Sequence, residues 1–343
     1  MHKPLISILI PCYNIGKLNR FSLNSVLKNK SKDIEILLLN DYSTDDTLSI
    51  LNAYKELDKR IRVFDLKDYH EKVGIGFNRD FLIRQARGKY FLFIDDDDYM
   101  KKNTIKYIIE NLNDDFDLMS INYRMKFNLF KNILISLPTV PKRKSVNHNC
   151  PRDTYFKNPT FPWAKVIKRE YYLNICNKYN AKFDQKIYED IRFLFFLFLD
   201  EPKYKYLSKP LFNYCIRKNS LSTKIINYEQ KIDAVYETLD QTIIKIKESN
   251  ILKDDSEYSL LKFWYTLYFY FIVDGWLKLV NLKEKRRFLI YASQKIILFK
   301  EKYPSSDPRD LNLISKIMYK KIKRDIDKNF NKLKNNNKLL NKY

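Results

Sequence analysis

Glycine is scarce in this sequence, and the phosphate-binding motifs that depend on glycine are absent. The 343 residues include five glycines, and none of them forms a G-x-x-x-x-G-K-[ST] or G-x-G-x-x-G motif. Such loops need glycine because the backbone must approach the phosphates closely. The absence disfavours a nucleotidyl- or phospho-transferase that uses either loop, although the same carboxylate–metal chemistry keeps this class as an alternative.

Cysteine and histidine are also few. The four cysteines form no C-x-x-C pair, so neither a zinc site nor a disulfide framework is indicated. The three histidines (His2, His70 and His148) are isolated from one another. We therefore expect no histidine-based metal site and no nucleophile–histidine pair.

No apolar run is long enough to span a membrane. The longest run, Phe263–Val273, has 11 residues, against the roughly 20 that a transmembrane helix needs. The run Leu5–Ile10 is too short for a signal peptide, and Pro11 follows it. We expect a cytoplasmic protein that is at most peripherally bound to the inner face of the plasma membrane.

Positive charge, by contrast, is abundant. Lysine and arginine number 64 against 41 acidic residues, which gives a formal net charge of +23. This charge permits attraction to nucleotides, anionic lipid surfaces or nucleic acid, although an AT-rich genome would also supply many lysines. No nucleic-acid-binding motif is present. A nucleic-acid-binding protein is therefore an alternative only, and no nucleic-acid partner is expected.

Apolar runs alternate with helical patterns in the first 100 residues. The runs predict a strand buried on both faces at residues 5–14, a second buried strand at 33–43, a short third strand at 60–66 and a fourth at 89–94. This alternation predicts an α/β domain with a mostly parallel sheet flanked by helices. From about residue 224 the pattern is helical, so we expect an α/β domain at 1–223 and a helical C-terminal extension at 224–343.

Four consecutive aspartates, Asp95–Asp98, follow the fourth apolar run. In an extended chain alternate side chains face the same way, about 6.5 to 7 Å apart, so Asp95 and Asp97 are expected to point together. Carboxylates at the carboxyl end of a buried parallel strand lie where open α/β sheets bind ligands. The pair therefore fits a Mg²⁺ or Mn²⁺ site shared with substrate phosphates. The alternative is a solvated acidic loop.

Five motifs in order carry a resemblance to a known family. They are "ISILIPCYN", "EILLLNDYSTDDT", "GIGFNRDFLIRQARGKYFLFIDDDD", "FPWAKVIKREYY" and "FDQKIYEDIRF". Together they resemble the family-2 glycosyltransferases, nucleotide-sugar-dependent enzymes with the Rossmann-like GT-A fold, over roughly residues 5–220. The resemblance implies an inverting transfer from a nucleoside-diphosphate sugar, UDP-sugar favoured, with Mn²⁺ or Mg²⁺. The acceptor would be a glycan or lipid-linked glycan in bacterial surface polysaccharide biosynthesis.

The resemblance also implies a pocket for the nucleotide base. It places Pro11 and Tyr13 in this pocket, where Asp41 would accept a hydrogen bond from uracil. Two neighbours depart from the family pattern, because Asn40 and Tyr42 stand where Asp and Gly are usual. We expect the turn at Tyr42 to be shaped differently. The departures keep a catalytically inactive GT-A scaffold as an alternative.

Four further residues are implied on the donor side. Arg79 would lie near the diphosphate, or else it is a charge on the surface of a helix. Asp97 would ligate the metal, Asp95 would face the metal or the ribose, and Asp96 is grouped with the donor-binding residues.

The Glu-Asp motif supplies the catalytic carboxylates that the resemblance implies. Asp190 would be the general base, with Glu189 beside it, in the first turn of an apolar helix. The helix dipole would keep both ionised near neutrality. The alternative is that two acids simply stabilise the start of a buried helix.

Four more residues have roles implied by the resemblance. Trp163 would stack on a sugar ring, or else is a core residue, and Lys165 would support the carboxylates or the diphosphate. Arg217 and Ser220 would approach the diphosphate over the metal.

The C-terminal residues combine positive charge with an apolar stripe. Residues 311–343 carry ten lysines and arginines against two aspartates. A basic amphipathic helix of this kind could lie on an anionic membrane surface. The helical region preceding it is expected to pack on the catalytic domain or on a second copy, as in a homodimer.

Overall fold

The computed structural model describes residues 3–16, 20–112, 116–130, 133–138, 147–148, 161–183, 188–216, 227–277, 280, 284–304 and 324. These residues form two compact units that divide the chain near residue 217. The predicted boundary after residue 223 lies outside the described residues and stays a prediction.

The first unit is built on one mixed sheet. Its strands are β1 (Ile6–Cys12), β2 (Ile34–Asn40), β3 (Ile61–Asp65), β4 (Tyr90–Phe93), β5 (Tyr99–Met100), β6 (Leu118–Phe130), β7 (Ile133–Pro138), β8 (Asn147–His148), β9 (Lys165–Lys168) and β10 (Tyr204–Ile216). The order is β3-β2-β1-β4-β9-β6-β10-β5, with β7 on β6 and β8 on β10. The four strands β3-β2-β1-β4 are parallel, as predicted, and β9 joins them in the antiparallel direction.

Helices flank this sheet. They are α1 (Arg20–Leu27), α2 (Thr47–Leu57), α3 (Ile75–Gln85), α4 (Thr104–Glu110), α5 (Arg169–Tyr179) and α6 (Glu189–Leu199). Every residue of β1, β2 and β4 is buried, which is why these strands read as continuous apolar runs. The apolar helix α6 is buried along most of its length. The predicted α/β class is therefore confirmed.

The second unit is helical in the residues described. It contains α7 (Tyr228–Glu248), α8 (Asp255–Leu277) and α9 (Lys285–Lys302). The rings of Phe269 and Phe299 meet edge to face at 5.8 Å, and Tyr291 Oη donates to Asp233 at 2.7 Å. The predicted C-terminal helices are thus present, although the basic tail from residue 305 lies outside the described residues apart from Arg324. None of the helices in the described part of the chain has the length and apolarity needed to cross a bilayer.

A buried polar network joins β1, β2 and the loop before β4. Ser7 Oγ donates to Glu35 Oε1 at 2.7 Å and accepts from Gly88 N at 2.9 Å. The same Glu35 oxygen accepts from Arg87 N at 2.5 Å, and its other oxygen pairs with Arg62 at 3.1 Å. Buried polar groups are tolerated when they are fully bonded in this way. The close approach of Gly88 to Ser7 leaves no room for a side chain.

Replacing Gly88 by alanine should destabilise this first unit. A Cβ there would lie 2.7 Å from both Ser7 N and Ser7 Oγ, and overpacking of this kind costs about 1–3 kcal/mol. Urea denaturation of Gly88→Ala and of a matched variant, Gly275→Ala, measures the difference. Gly275 lies in α8 with nothing within 4 Å of its would-be Cβ, so that variant should gain up to about 1 kcal/mol. Equal stabilities of the two variants would show that Gly88 is not sterically constrained.

Candidate active site

The candidate site lies at the carboxyl ends of three parallel strands. β1 ends at Cys12, β2 at Asn40 and β4 at Phe93, and the residues that follow are Tyr13, Asp41 and the aspartate run. The paired register of β1 with β2 and β4 brings these ends to one edge of the sheet. Open α/β sheets bind ligands at this edge.

The four aspartates form a turn, not an extended strand. β4 ends at Phe93, and Asp98 N donates to Asp95 O at 3.0 Å. The expectation that Asp95 and Asp97 alternate along an extended chain was therefore wrong. A turn spreads four like charges over different partners, which reduces their repulsion.

Each of three aspartates in the turn bonds to a different part of the domain. Asp96 Oδ2 accepts from Tyr13 N at 3.1 Å, which ties the turn to the end of β1. Asp98 Oδ1 accepts from Cys215 N at 2.8 Å in β10, and the rest of that side chain is buried. Burial raises the pKa of the Asp98 carboxyl well above its usual range, and the charges of Asp95 and Asp97 raise it further. Asp95 points toward α3.

Arg79 of α3 is a buried link between the turn and helix α6. Its Nη2 donates to Asp95 Oδ1 at 3.1 Å, and its Nη1 donates to Glu189 Oε1. The guanidinium lies 5.8 Å from the Phe93 ring centre, and the residue is 6% exposed. Burial would lower the pKa of Arg79, but the charges of Glu189 and Asp95 raise it above its ordinary value. The alternative of a helix-surface charge was therefore wrong.

The two acids of the Glu-Asp motif occupy different environments. Both begin α6, where Tyr188 precedes them at a left-handed φ of 67°. Glu189 is 3% exposed and faces Arg79, whereas Asp190 is only half-buried. Burial raises the pKa of Asp190 to about 6, against the opposing charge of Arg79. At neutral pH Asp190 is thus ionised and still basic enough to accept a proton.

Lys165 lies beside these carboxylates at the start of β9. It is 8% exposed, and its Nζ donates to the backbone oxygen of Phe161. Burial lowers the pKa of Lys165 to about 7, and the charge of Asp190 acts in the opposite direction. The role predicted for Lys165, support of the carboxylates or the diphosphate, stays a prediction.

Trp163 belongs to an aromatic cluster. Its ring is nearly parallel to those of Phe161 and Tyr214, each 4.8 Å away, and the Tyr123 ring meets it edge-on at 4.6 Å. Trp163 is 4% exposed, whereas Phe161 and Tyr214 are only half-buried. This burial favours the core role for Trp163, whereas the rings of Phe161 and Tyr214 keep exposed surface. Sequence reasoning missed both rings, although Phe161 lies two residues before Trp163.

The residues predicted for the base pocket lie together after β1 and β2. Pro11 is buried within β1, Tyr13 is 46% exposed, and Asp41 is half-buried. Asn40 is buried, and its amide donates to Asp65 Oδ1 at 3.1 Å, which joins the ends of β2 and β3. Tyr42 has a φ of 53°, the left-handed conformation that glycine adopts readily. Tyr42 thus adopts the backbone conformation that glycine favours, and the different turn shape expected from its side chain stays a prediction.

The carboxylates of the turn are suitable ligands for a hard divalent cation. Within the described residues no group of three or more histidine, cysteine, aspartate or glutamate side chains is arranged around a common point. Mg²⁺ and Mn²⁺ do not need such a cage, because one or two carboxylates, water and substrate phosphates complete their coordination. Asp98 Oδ2 is buried and has no hydrogen-bond partner in this part of the chain. The donor chemistry therefore fits the predicted metal.

Two predicted site residues cannot be placed. Arg217 and Ser220 lie outside the described residues, as does most of the segment 142–163. Their assignment to the diphosphate stays a prediction.

Comparison with known proteins identifies the family. The sequence profile of "Glycosyl transferase family 2" matches residues 7–166. The chain is 30% identical over 256 residues to the processive diacylglycerol beta-glycosyltransferase of Mycoplasma genitalium, an alignment that covers 69% of this chain and 72% of the relative.

Solved structures give the fold. S. aureus TarS 1-349 in complex with UDP-GlcNAc is similar with a TM-score of 0.65 and 21% identity, covering 88% of this chain and 82% of TarS. The mannosyltransferase PcManGT from Pyrobaculum calidifontis, in complex with GDP-Man and Mn²⁺, is similar with a TM-score of 0.50 and 15% identity, over 90% and 78% of the two chains. The predicted GT-A fold is confirmed, and this chain belongs to glycosyltransferase family 2.

Proposed function

We propose that this glycosyltransferase is inverting and metal-dependent, and that it transfers a sugar from a nucleoside-diphosphate sugar, a UDP-sugar by preference, to a hydroxyl group of its acceptor. The observation that carries the proposal is the link through Arg79, which joins the aspartate turn to the first turn of α6. Metal-binding carboxylates and a candidate base thus lie on two sides of one site. The UDP-GlcNAc bound by TarS and the Mn²⁺ bound by PcManGT support the donor and the metal.

Asp97 and Asp95 would hold the divalent cation. Breaking the bond between the sugar and the diphosphate leaves extra negative charge on the leaving group, which a bound cation would neutralise as a Lewis acid. Because Asp95 is bonded to Arg79, its second oxygen is the one suited to a ligand. Asp96 and Asp98 hold the turn through Tyr13 and Cys215.

Asp190 acts as the general base in this proposal. The acceptor hydroxyl must lose its proton as it attacks, and a carboxylate with a pKa near the working pH accepts it efficiently. Asp190 has such a pKa, about 6, because it is partly desolvated at the start of α6. Glu189 has its carboxylate committed to Arg79, so we assign it a positioning role. Lys165 supports Asp190 electrostatically.

The acceptor is proposed to be a glycan or a lipid-linked glycan at the inner face of a bacterial membrane. The relative from Mycoplasma genitalium bears the name of a diacylglycerol glycosyltransferase, which supports a lipid-bearing acceptor. The half-buried rings of Phe161 and Tyr214 offer apolar surface for a sugar ring beside the base. Peripheral membrane binding through the basic tail, and pairing into a homodimer, belong to the same proposal.

Replacing Asp97 by asparagine should abolish metal-dependent donor binding. The protein is heated with UDP and Mn²⁺ or with UDP and EDTA, and UDP at 100 times its Kd should add about 2.7 kcal/mol of stability to the wild type. Asp97→Asn should lose the Mn²⁺-dependent part of that gain and release UDP from UDP-sugars at least about 100-fold more slowly. Asp46→Asn is the matched control, because Asp46 is exposed and its side chain caps nothing. A Mn²⁺-dependent gain that persists in Asp97→Asn would remove Asp97 from the metal site.

The two acids of α6 should respond differently to loss of charge. Asp190→Asn should lower turnover by about 10²–10⁴-fold without loss of stability, since burial already disfavours its ionised form. Glu189→Gln should cost about 3–5 kcal/mol in urea denaturation, because a buried Arg79 loses a charged partner.

The pH dependence of turnover is an independent test of Asp190 as the general base. A base must be deprotonated, so wild-type turnover should rise with pH through about 6 and level off above it. The rise should vanish in the residual activity of Asp190→Asn. If Glu189→Gln lost the rise and Asp190→Asn kept it, the roles of the two acids would have to be exchanged.

A further inference from the structure

The segment between β3 and α3, residues 66–74, is anchored beside the base pocket. Tyr42 Oη donates to the backbone oxygen of His70 at 2.8 Å. The His70 ring lies 4.5 Å from the Phe77 ring, and the Tyr69 ring lies 5.0 Å from that of Phe81. Ring contacts to α3 on one side and a hydrogen bond to the turn after β2 on the other fix the path of this segment.

Lys72, carried by this segment, stands over Tyr13. Its Nζ lies 4.2 Å from the centre of the Tyr13 ring, within the range of a cation–π contact. Tyr13 is itself 46% exposed. Lys72 is also close enough to Asp41 for its charge to lower the pKa of that carboxyl. A cation, an aromatic ring and a carboxylate therefore face the same small region.

Asp41 is supported from behind by Asn78. Asn78 is fully buried in α3, and its amide faces Asp41. Burial raises the pKa of Asp41, whereas Asn78 and Lys72 lower it. Neither the Asn78 amide nor Asp41 Oδ1 completes a hydrogen bond of normal geometry with any described residue. The carboxyl group thus retains capacity to accept a hydrogen bond.

We infer that Lys72 is a specificity-determining residue for the nucleobase, and that with Asp41 it selects bases that present an N–H group next to a carbonyl. The inference rests on the proposed use of a nucleotide-sugar donor. Uracil presents this edge: its N3–H can donate to the Asp41 carboxylate, and its C4 carbonyl, which cytosine lacks, can accept from the Lys72 ammonium. Cytosine presents a bare ring nitrogen to the carboxylate and an amino group to the ammonium, so both contacts become repulsive.

Asp41 is half-buried and Lys72 is exposed, so we expect a moderate discrimination that comes from the unpaired carboxylate and the lost contact to the ammonium. Tyr42 is a positioning residue in this arrangement. It keeps a left-handed backbone, which a non-glycine residue adopts rarely, and its hydroxyl holds the segment that carries Lys72. The side chain at position 42 thereby gives the turn a function that glycine could not supply.

The test compares UDP with CDP, which differ only in the edge of the base. Dissociation constants are measured by titration calorimetry with Mn²⁺ on the full chain, for wild type, Lys72→Met and Lys72→Arg. Wild type should bind UDP at least about 10-fold more tightly than CDP. Lys72→Met should weaken UDP binding about 10-fold and leave CDP binding equal or slightly tighter, because the repulsion of the cytosine amino group is removed, whereas Lys72→Arg should preserve most of the preference.

Two further variants control the result. Lys55→Met removes an exposed lysine of α2 away from the pocket and should leave both constants unchanged. Tyr42→Phe removes only the anchoring hydroxyl. It should reduce the ratio of UDP to CDP affinity, as Lys72→Met does.

The outcomes separate the inference from the function on which it rests. If Lys72→Met keeps the wild-type ratio of UDP to CDP affinity, or if wild type binds both equally, Lys72 does not read the base while the glycosyltransferase proposal stands. If wild type binds neither nucleotide and releases no nucleotide from any nucleotide-sugar, the proposed function fails and the inference falls with it.

Discussion

A single buried guanidinium organises this active site. A charge removed from water is tolerated only when it is paired and hydrogen-bonded, and Arg79 meets that condition with one carboxylate from each of two distant elements. Asp95 belongs to the turn after β4, and Glu189 begins α6. Because both partners must be present, the position of the turn and that of the helix are set relative to each other. The adjacent acids Glu189 and Asp190 thereby occupy different environments, since Glu189 alone is paired with Arg79.

The same pairing explains how so many carboxylates share a small volume. The Asp96 and Asp98 side chains accept hydrogen bonds from the backbone amides of Tyr13 and Cys215. These bonds hold the turn to the end of β1 and to β10. Asp95 and Asp97 are the two carboxylates of the turn that we propose to hold the cation.

The repetitive elements were predictable from the sequence, but long-range pairings were not. Continuous apolar runs predicted β1, β2 and β4 correctly, because burial on both faces leaves a pattern that needs no knowledge of partners. Arg79 could not be distinguished from a surface charge, since its partner Glu189 is 110 residues away. The turn at Asp95–Asp98 was predicted to be extended, because its partners Tyr13 and Cys215 also lie far away in the sequence. The bond from the Tyr42 hydroxyl to the backbone oxygen of His70, 28 residues away, was likewise not predictable from the sequence.

The most direct test of this account is a double-mutant cycle on Arg79 and Glu189. The free energy of unfolding is measured by urea denaturation for wild type, Arg79→Met, Glu189→Gln and the double variant. We expect a coupling energy of about 2–3 kcal/mol, because either single change leaves a buried partner without its counter-charge, so the double variant should lose clearly less stability than the sum of the two single variants. Additive effects, agreeing within about 0.5 kcal/mol, would contradict the account, since Arg79 would then not join the turn to the helix.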